Sequence, residues 1–434
     1  MMYVRSSNGT LVPGKPEDIQ WYLNYVVAPI EMLNKRHRMK FRKRFRMSIE
    51  TYHELLKEVK EHHIFDTWKE GNTDCAGKKV SPIELLVLGV LRYLGRDANY
   101  DDLEEMTYIS ERTHARFFDK FIEYGSTILY QKYVVQPVSH QEAMDHMHEM
   151  ILAGLPGALG STDGSHILFV QCIYSLRHIH LGYKLSKTAR AYNMTVNHRK
   201  RILSTTSGHP STWNDKTIVL YDVFITGINN GDILSDFVFE LLERDDNNEV
   251  KKRQYKGVWI LADNGYSDWS SLIAPSKYSS SRKEIRFSQW LESMRKDVEC
   301  TFGILKKRFK ILDHGVNVKS IHDVDKVWQT CCSLHNMILE SDGLDEFWDN
   351  GEDVNCLDAE STAIRRLNDL PITQQEVVAD VEADNDEYES FDGFYEVHKM
   401  NQVAFKKRLI DHFDIKFQKN QIIWPKRFTK PRHV

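Results

Sequence analysis

The sequence predicts an α/β layer preceded by an all-helical front half. Two observations carry this prediction: through about residue 150 apolar residues recur three and four apart, and beyond it they gather in short β-rich runs followed by one long amphipathic helix. With 434 residues, 41% of them hydrophobic, the chain has material for two or three domains with ordinary cores.

Residues 1–34 show no sustained period and contain Pro13, Pro16 and Pro29, which predicts a flexible or loosely docked arm. Region 35–150 then reads as helical. It opens on Lys35–Arg46, where eight Lys/Arg fall in twelve positions around Phe41 and Phe45. That run is either a solvated helix face docked through its two phenylalanines or a site of phosphate contact or nuclear import, with Arg42, Lys43 and Arg44 as the contacts. Ile49, Tyr52, Leu55, Leu56 and Val59 mark a helix capped by Ser48. Ser81-Pro82-Ile83-Glu84 opens another, with Ser81 as cap and Pro82 at the first helical position. Tyr100–Met106 and Glu111–Phe118, joined by a turn at Thr107–Ser110, then form two short helices of helix-turn-helix geometry, with Arg112 and Arg116 sharing one face. A three-helix bundle with no DNA role gives the same string, and the first helix of the pair is acidic.

Region 151–340 changes period. Leu159–Val170 reads as a strand interrupted by small residues around Asp163, and Tyr192–Asn197 with Ile202–Thr206 as a hairpin turning at His198–Arg201. Asp215–Phe224 can be a helix, and Gly257–Ala262 is a buried-type strand ending at Asp263. Trp290, Leu291, Met294, Val298, Phe302, Leu305 and Phe309 stripe a helix over about 287–309, which gives the sheet its cover. Segment 341–392 is acidic and expected to be flexible, and 393–434 regains a helical stripe at Val403, Phe405, Leu409 and Phe413.

The net charge of −4 hides a division. Glu340–Asp392 holds 18 Asp/Glu and two Arg, so the other 381 residues carry a net +12. A basic body with an acidic strip is what a polyanion-binding protein presents, although basic bodies also occur without nucleic acid. The six cysteines form no C-x-x-C pair, which excludes a readable zinc knuckle or disulfide framework and fits a reducing compartment. His178 and His180 lack further ordered ligands and read as strand or loop surface rather than a zinc site. No apolar run approaches the ~18 residues of a membrane span, and the first twenty residues lack a secretory pattern, so no membrane partner is expected.

Three carboxylates stand where such a fold would expose them: Asp163 beside Gly164, Asp263 beside Asn264-Gly265, and Glu299 on the long helix. Ligands bind at strand ends of an α/β layer, and carboxylates gathered there invite a hard divalent cation, Mg²⁺ or Mn²⁺. Glu299 should face the sheet, since its neighbours Val298 and Phe302 belong to the buried stripe.

These same residues carry a family resemblance. Gly160-Ser161-Thr162-Asp163-Gly164-Ser165-His166-Ile167, Leu261-Ala262-Asp263-Asn264-Gly265-Tyr266 and the run Val298-Glu299 to Phe309 resemble the three catalytic blocks of PIF/Harbinger transposases. Gly208 to Lys216 is similar to a fourth block of that family, Gly-x-Pro-Gly-Ser-x-His-Asp, with Asn214 where His is usual. Ser165 replaces a usual Thr and Ser267 stands where Pro is frequent; neither removes a carboxylate. Glu299 follows Asp263 by 36 positions, which fits the D-D-E spacing, and the likeness runs from about Phe41 to Glu340.

The resemblance implies an RNase H-like nuclease domain over 151–340, a mixed sheet flanked by helices, behind the helix-turn-helix-like region. Asp163, Asp263 and Glu299 would be both catalytic and metal-holding, converging on two ions about 4 Å apart. Lys306, Lys307 and Arg308, just beyond Glu299, would hold DNA phosphates, unless they form a solvated face. The implied activity is cleavage of DNA at element ends and joining of the 3′-hydroxyl to target DNA, in the nucleus. Implied partners are DNA, a Myb-like accessory protein and further copies of the chain on DNA. The alternative is a domesticated descendant that binds DNA or protein without cutting.

Overall fold

The computed structural model describes residues 3–5, 11–73, 77, 79–182, 186–279, 281–345, 348–349 and 390–427. The front half is helical: α1 (Lys35–Phe45), α2 (Ile49–Glu61), α3 (Ile83–Arg96), α4 (Tyr100–Thr107), α5 (Glu111–Tyr124) and α6 (His140–Leu152). Caps fix most of these starts. Asn34, Ser48, Asn99, Ser110 and Ser139 each accept from a backbone N–H in the first turn, and Asn99/Asp102 and Ser139/Glu142 form capping boxes. Ser81 does not cap α3. Pro82 is held extended at ψ 123° and is itself the N-cap, so the helix begins at Ile83.

The central sheet follows. Its strands β1 (Ala158–Leu168), β2 (Ala189–Val196) and β3 (Ile202–Thr205) form an antiparallel meander, and β1's other edge pairs in parallel with a later strand, Trp259–Leu261. Between them, the single helix expected over 215–224 is broken. Asp222 adopts ψ 102° and its carboxylate accepts from the N–H groups of Phe224 and Ile225, so a turn at Asp215–Ile218 is separated from α7 (Val223–Asn230). A hairpin of β4 (Val238–Arg244) and β5 (Val250–Lys256) comes next, then β6 (Trp259–Leu261) and β7 (Leu272–Ile273), which is parallel to β6. The sheet order is β7-β6-β1-β2-β3.

Helix α8 (Arg282–Arg308) covers this sheet, starting earlier than its apolar stripe implies. Its first half, Phe287 to Met294, packs into one core with Trp259, Ile260 and Phe224; its second half, Val298 to Leu305, packs into another with Tyr192, Met194 and the front helices. α9 (Ile321–Ser341) belongs to that second core, and the tail returns as β8 (Ser390–Glu396), paired with β5, and α10 (Gln402–Gln418), which inserts Phe405, Leu409 and Phe413 into the first.

Two expected loose segments carry anchors. Trp21 and Tyr25, within the arm 1–34, are buried edge-on against Phe45 and Phe41 with centroids 5.0 Å apart. At the start of the acidic segment, Asp342 pairs with Arg42, and Asp345 with Arg201 at 2.6 Å. The remainder of the expectation for 341–392 falls largely outside the described residues, which resume at Ser390.

Trp328 joins α9 to the sheet: it is fully buried, stacks on Tyr192 at 4.8 Å and donates from Nε1 to Thr205 Oγ1 at 2.9 Å. Trp328→Ala should cost about 3–5 kcal/mol in urea unfolding, through the large cavity it leaves, and Trp328→Phe clearly less.

Candidate functional site

Strand register places the first two carboxylates. β1 and β6 run parallel with Ser161 opposite Leu261, so Asp163, in the middle of β1, and Asp263, two residues past the end of the shorter β6, lie side by side. Each is aimed by a backbone donor: Gly164 N–H donates to Asp163 Oδ1 at 2.8 Å, and Gly265 N–H to Asp263 Oδ1 at 2.6 Å.

A third carboxylate joins them, and sequence reasoning did not assign it a role. A Cβ on Gly164 would lie 2.9 Å from Asp215 Oδ1, and one on Gly265 would lie 2.9 Å from Asp263 Oδ1 and 3.2 Å from Asp215 Oδ2. The two glycines thus leave the space that the aspartates fill. Asp215 is held there by the turn it begins, which Asn214 caps by accepting from Thr217 N–H at 2.9 Å. A helix cap is work an asparagine does well, which gives a physical reason for Asn214 at a position where the resembling family has His.

Tyr266 lies beneath this group. It is fully buried, and its hydroxyl donates to Asn193 Oδ1 at 2.6 Å; Asn193 in turn donates to Asp222 Oδ2 at 2.7 Å and Thr162 Oγ1 at 3.0 Å. Burial, followed by the charges of Asp163, Asp215, Asp263 and Asp222, holds the phenol well above its ordinary pKa. It therefore stays a donor. Asp163 is pushed up to about 6, mainly by burial, with Asp263 and Glu299 adding to the rise and Gly164 N–H and Arg295 opposing it.

Glu299 arrives differently from the expectation. Its side chain is 45% exposed at the rim of the site and does not face the sheet, because Arg295, one helical turn earlier and buried, donates to it at 2.6 Å. The same guanidinium donates to Glu292 at 3.0 Å and lies 3.7 Å from Asp163 Oδ2. Burial works against the charge on Arg295, but Glu292, Glu299 and Asp163 together raise its pKa. Among the described residues, no three His, Cys, Asp or Glu side chains are gathered as a metal-holding group as they stand. The donors nevertheless suit a hard cation. All are carboxylate oxygens, and Asp163, Asp215 and Asp263 share one glycine-lined cradle.

The basic residues are spread. Lys306 is tied to β1 beside Asp163, its Nζ donating to Ser165 Oγ at 3.1 Å and His166 O at 3.3 Å, while Lys307 is exposed. Arg308 turns inward: it lies 3.0 Å from His335 Nδ1, and burial lowers its pKa to about 10. That contact aims it at α9 instead of at a phosphate. Arg112 and Arg116 are exposed on α5, whose opposite face, Phe117, Phe118 and Phe121, is buried; the turn before α5 is held by Thr107 Oγ1 against His114 Nε2 at 2.8 Å. On α1, Arg42 pairs with Asp342, Arg44 donates to Tyr25 at 2.9 Å and Lys43 is exposed. His178 and His180 sit on a short helical turn at Arg177–His180, not on a strand or loop, and the buried His180 lies 3.1 Å from Ala189 O through Nδ1.

A small polar cavity opens beside Asp263, lined by Asn264, Ser267, Asp268 and, from α10, Gln402 and Lys406. Among the described residues, no helix is long and apolar enough to cross a membrane.

Residues 131–345 match the family model described as plant transposon protein, a stretch that includes Asp163, Asp215, Asp263 and Glu299. The match places this part of the chain in likeness to a transposase-related family. No curated protein and no solved structure matches the chain.

The Asp163 shift has a measurable consequence. Its folded pKa, about 6, lies above the ordinary 3.8, so its contribution to stability is full below 3.8 and is lost as pH rises through 6. Asp163→Asn, in metal-free buffer, should gain about 2–3 kcal/mol over wild type at pH 8 and under about 1 kcal/mol at pH 4. A gain that is flat with pH, read from urea midpoints, contradicts the burial of this carboxylate.

Proposed function

We propose that the chain is a metal-dependent DNA transposase nuclease with an RNase H-like catalytic layer, cleaving DNA at element ends and joining the 3′-hydroxyl to target DNA. The observation that carries this reading is the convergence of Asp163, Asp215 and Asp263 over Gly164 and Gly265, beside the parallel pair β1–β6 inside the transposon-related stretch. A mixed sheet covered by helices is the architecture such a domain requires.

Asp163 and Asp263 would hold the divalent ions, with Glu299 as the third carboxylate of the set. When bound, two Mg²⁺ or Mn²⁺ ions supply Lewis acidity to the attacking and leaving oxygens. The chain does the positioning. Gly164 and Gly265 N–H groups fix one oxygen of each aspartate, leaving the other outward. Tyr266, kept protonated, ties the cradle to Asn193 on β2. Arg295, beside Asp163, would be placed to hold a phosphate oxygen, and Lys306 and the exposed Lys307 follow near the end of the same helix. End recognition falls to the helix-turn-helix-like pair α4–α5 through Arg112 and Arg116, with Arg42, Lys43 and Arg44 holding backbone. DNA, a Myb-like accessory protein, further copies of the chain and a nuclear setting belong to this reading.

A second reading, a domesticated DNA- or protein-binding factor that no longer cuts, draws on one observation: Glu299 is engaged by Arg295 at the exposed rim of the site. The two separate on paired measurements. Under the nuclease reading, Asp263→Asn abolishes Mn²⁺-dependent nicking of element-end DNA and weakens Mn²⁺ binding in calorimetry at least tenfold, with end binding retained. Wild-type protein that binds neither Mn²⁺ nor Mg²⁺ at millimolar concentration favours the binding-only reading. Arg112→Ala with Arg116→Ala should do the reverse, weakening end binding by about 1–3 kcal/mol per lost base contact and leaving metal binding intact. If that variant still prefers its own ends over random DNA, recognition lies elsewhere, at Lys35–Arg46 or on a partner.

A further inference from the structure

One feature of the molecule lies outside the proposed function. Around Asp215 three aromatic rings cluster: His209 and Trp213 stack at 5.4 Å and 20°, while Tyr221 is tilted against both, at 5.2 Å and 30° to Trp213 and 5.5 Å and 44° to His209. They form a stepped aromatic surface. Its base is rigid, because His209 pairs with Ala191 of β2 and so belongs to the edge of the central sheet. Its outer ring is open: Tyr221 is 57% exposed, and beside it Leu220 and Val223 are 57% and 76% exposed.

Such rings bury apolar area best against a core; here Tyr221 is exposed and Trp213 and His209 behind it are only partly buried, with Trp213 two residues from a carboxylate of the candidate centre. Two residues span at most about 7 Å, roughly two nucleotide steps of about 3.4 Å along a strand. Cationic groups border the surface. Lys216 is exposed beside Asp215, and exposed Arg177 lies on the short helical turn that Ser211 and Thr212 fasten by donating to His180 O at 2.6 Å and Ile179 O at 3.2 Å. Planar rings with flanking cations next to a phosphodiester site are a stacking platform for bases and a rail for the strand's backbone.

We infer that Trp213 and Tyr221, backed by His209, bind an unpaired nucleobase of the DNA strand whose phosphodiester sits at Asp163, Asp215 and Asp263. This inference rests on the nuclease reading and adds a substrate preference: frayed or single-stranded ends over closed duplex. A paired base shows its face to its neighbours and has no use for the platform, whereas an unstacked one recovers on Trp213 what it loses in the helix.

The test uses the full chain in metal-free buffer, with fluorescence anisotropy of two labelled probes, a blunt duplex and the same duplex carrying a short single-stranded flap. Wild type should bind the flap probe more tightly. Trp213→Ala with Tyr221→Ala should weaken flap binding roughly 5- to 100-fold and leave blunt-duplex binding within about twofold. Trp213→Phe should retain most of the preference. Tyr221→Ala, at an exposed position, carries the test alone if the double variant melts early. A double variant with wild-type flap preference overturns the platform and leaves the nuclease reading standing. A wild-type protein that binds neither probe overturns both, and equal loss on both probes overturns the platform in favour of a general role in shape.

Discussion

One electrostatic constraint organises the centre: three half-buried aspartates share a glycine-lined cradle over a buried tyrosine, and Arg295 is the cation the fold brings to their edge. Burying like charges together is costly unless they are protonated, paired or bridged by a cation. The chain uses a partial form of each remedy. Asp163 leans toward protonation at about 6, Arg295 leans toward Asp163 while holding Glu299 and Glu292, and backbone N–H groups take one oxygen of Asp163 and of Asp263. The same balance sets the part left to a bound divalent ion. An ion in the cradle would take over the neutralisation that Arg295 now supplies, freeing both Arg295 and Glu299.

That exchange is possible because of where Arg295 falls on α8. The helix passes from one core to the other, Met294 being the last stripe residue in the first and Val298 the first in the second. Arg295 lies at the seam, buried, and Glu299, one turn on, lies at the rim. The front helices share the second core with β2 and α9, so α1 and α5 are braced against the layer that carries the aspartates. Motion of one relative to the other would open a common core, which ties any DNA-reading surface on α5 in fixed geometry to the centre.

Much of this was legible in the residues. Periods of two and of three to four located β1, the β2–β3 hairpin, β6 and α8, and small residues beside Asp163 and Asp263 pointed to carboxylates at strand ends. What escaped had physical causes. β5, Val-Lys-Lys-Arg-Gln-Tyr-Lys, is a partly exposed strand with almost no apolar alternation to detect, and its partner β4 becomes visible only by pairing with it. α9 carries a helical stripe in Val324, Val327, Trp328 and Cys331 that is legible in the sequence. Asp222 split a helix that composition reads as continuous, because an N-cap aspartate looks like any helical aspartate until its ψ is known. Arg295 could have been suspected: an arginine four residues before a glutamate on one helix is placed to pair with it, which should have argued against Glu299 facing the sheet.

The count of charges needs the same correction. A net +12 outside the acidic strip reads as a broad field for phosphates, yet several of those cations are engaged. Arg201 pairs with Asp345, Arg199 donates to Asp345 O at 2.8 Å, and Arg42 pairs with Asp342, all at the first residues of the strip. Arg190 is bound to Asp325 at 2.7 Å and Lys200 to Asp297 at 2.5 Å, both largely buried. Such pairs hold the β2–β3 turn against α8 and α9; they add little to the field outside. For the proposed function, the exposed positive charge is therefore local: Arg112 and Arg116 on α5, Lys43 on α1, and Lys307 beyond the centre. Phosphate contacts made by a few separated groups weaken with salt in proportion to their number, so the salt dependence of binding counts these residues, not the formal charge of the body.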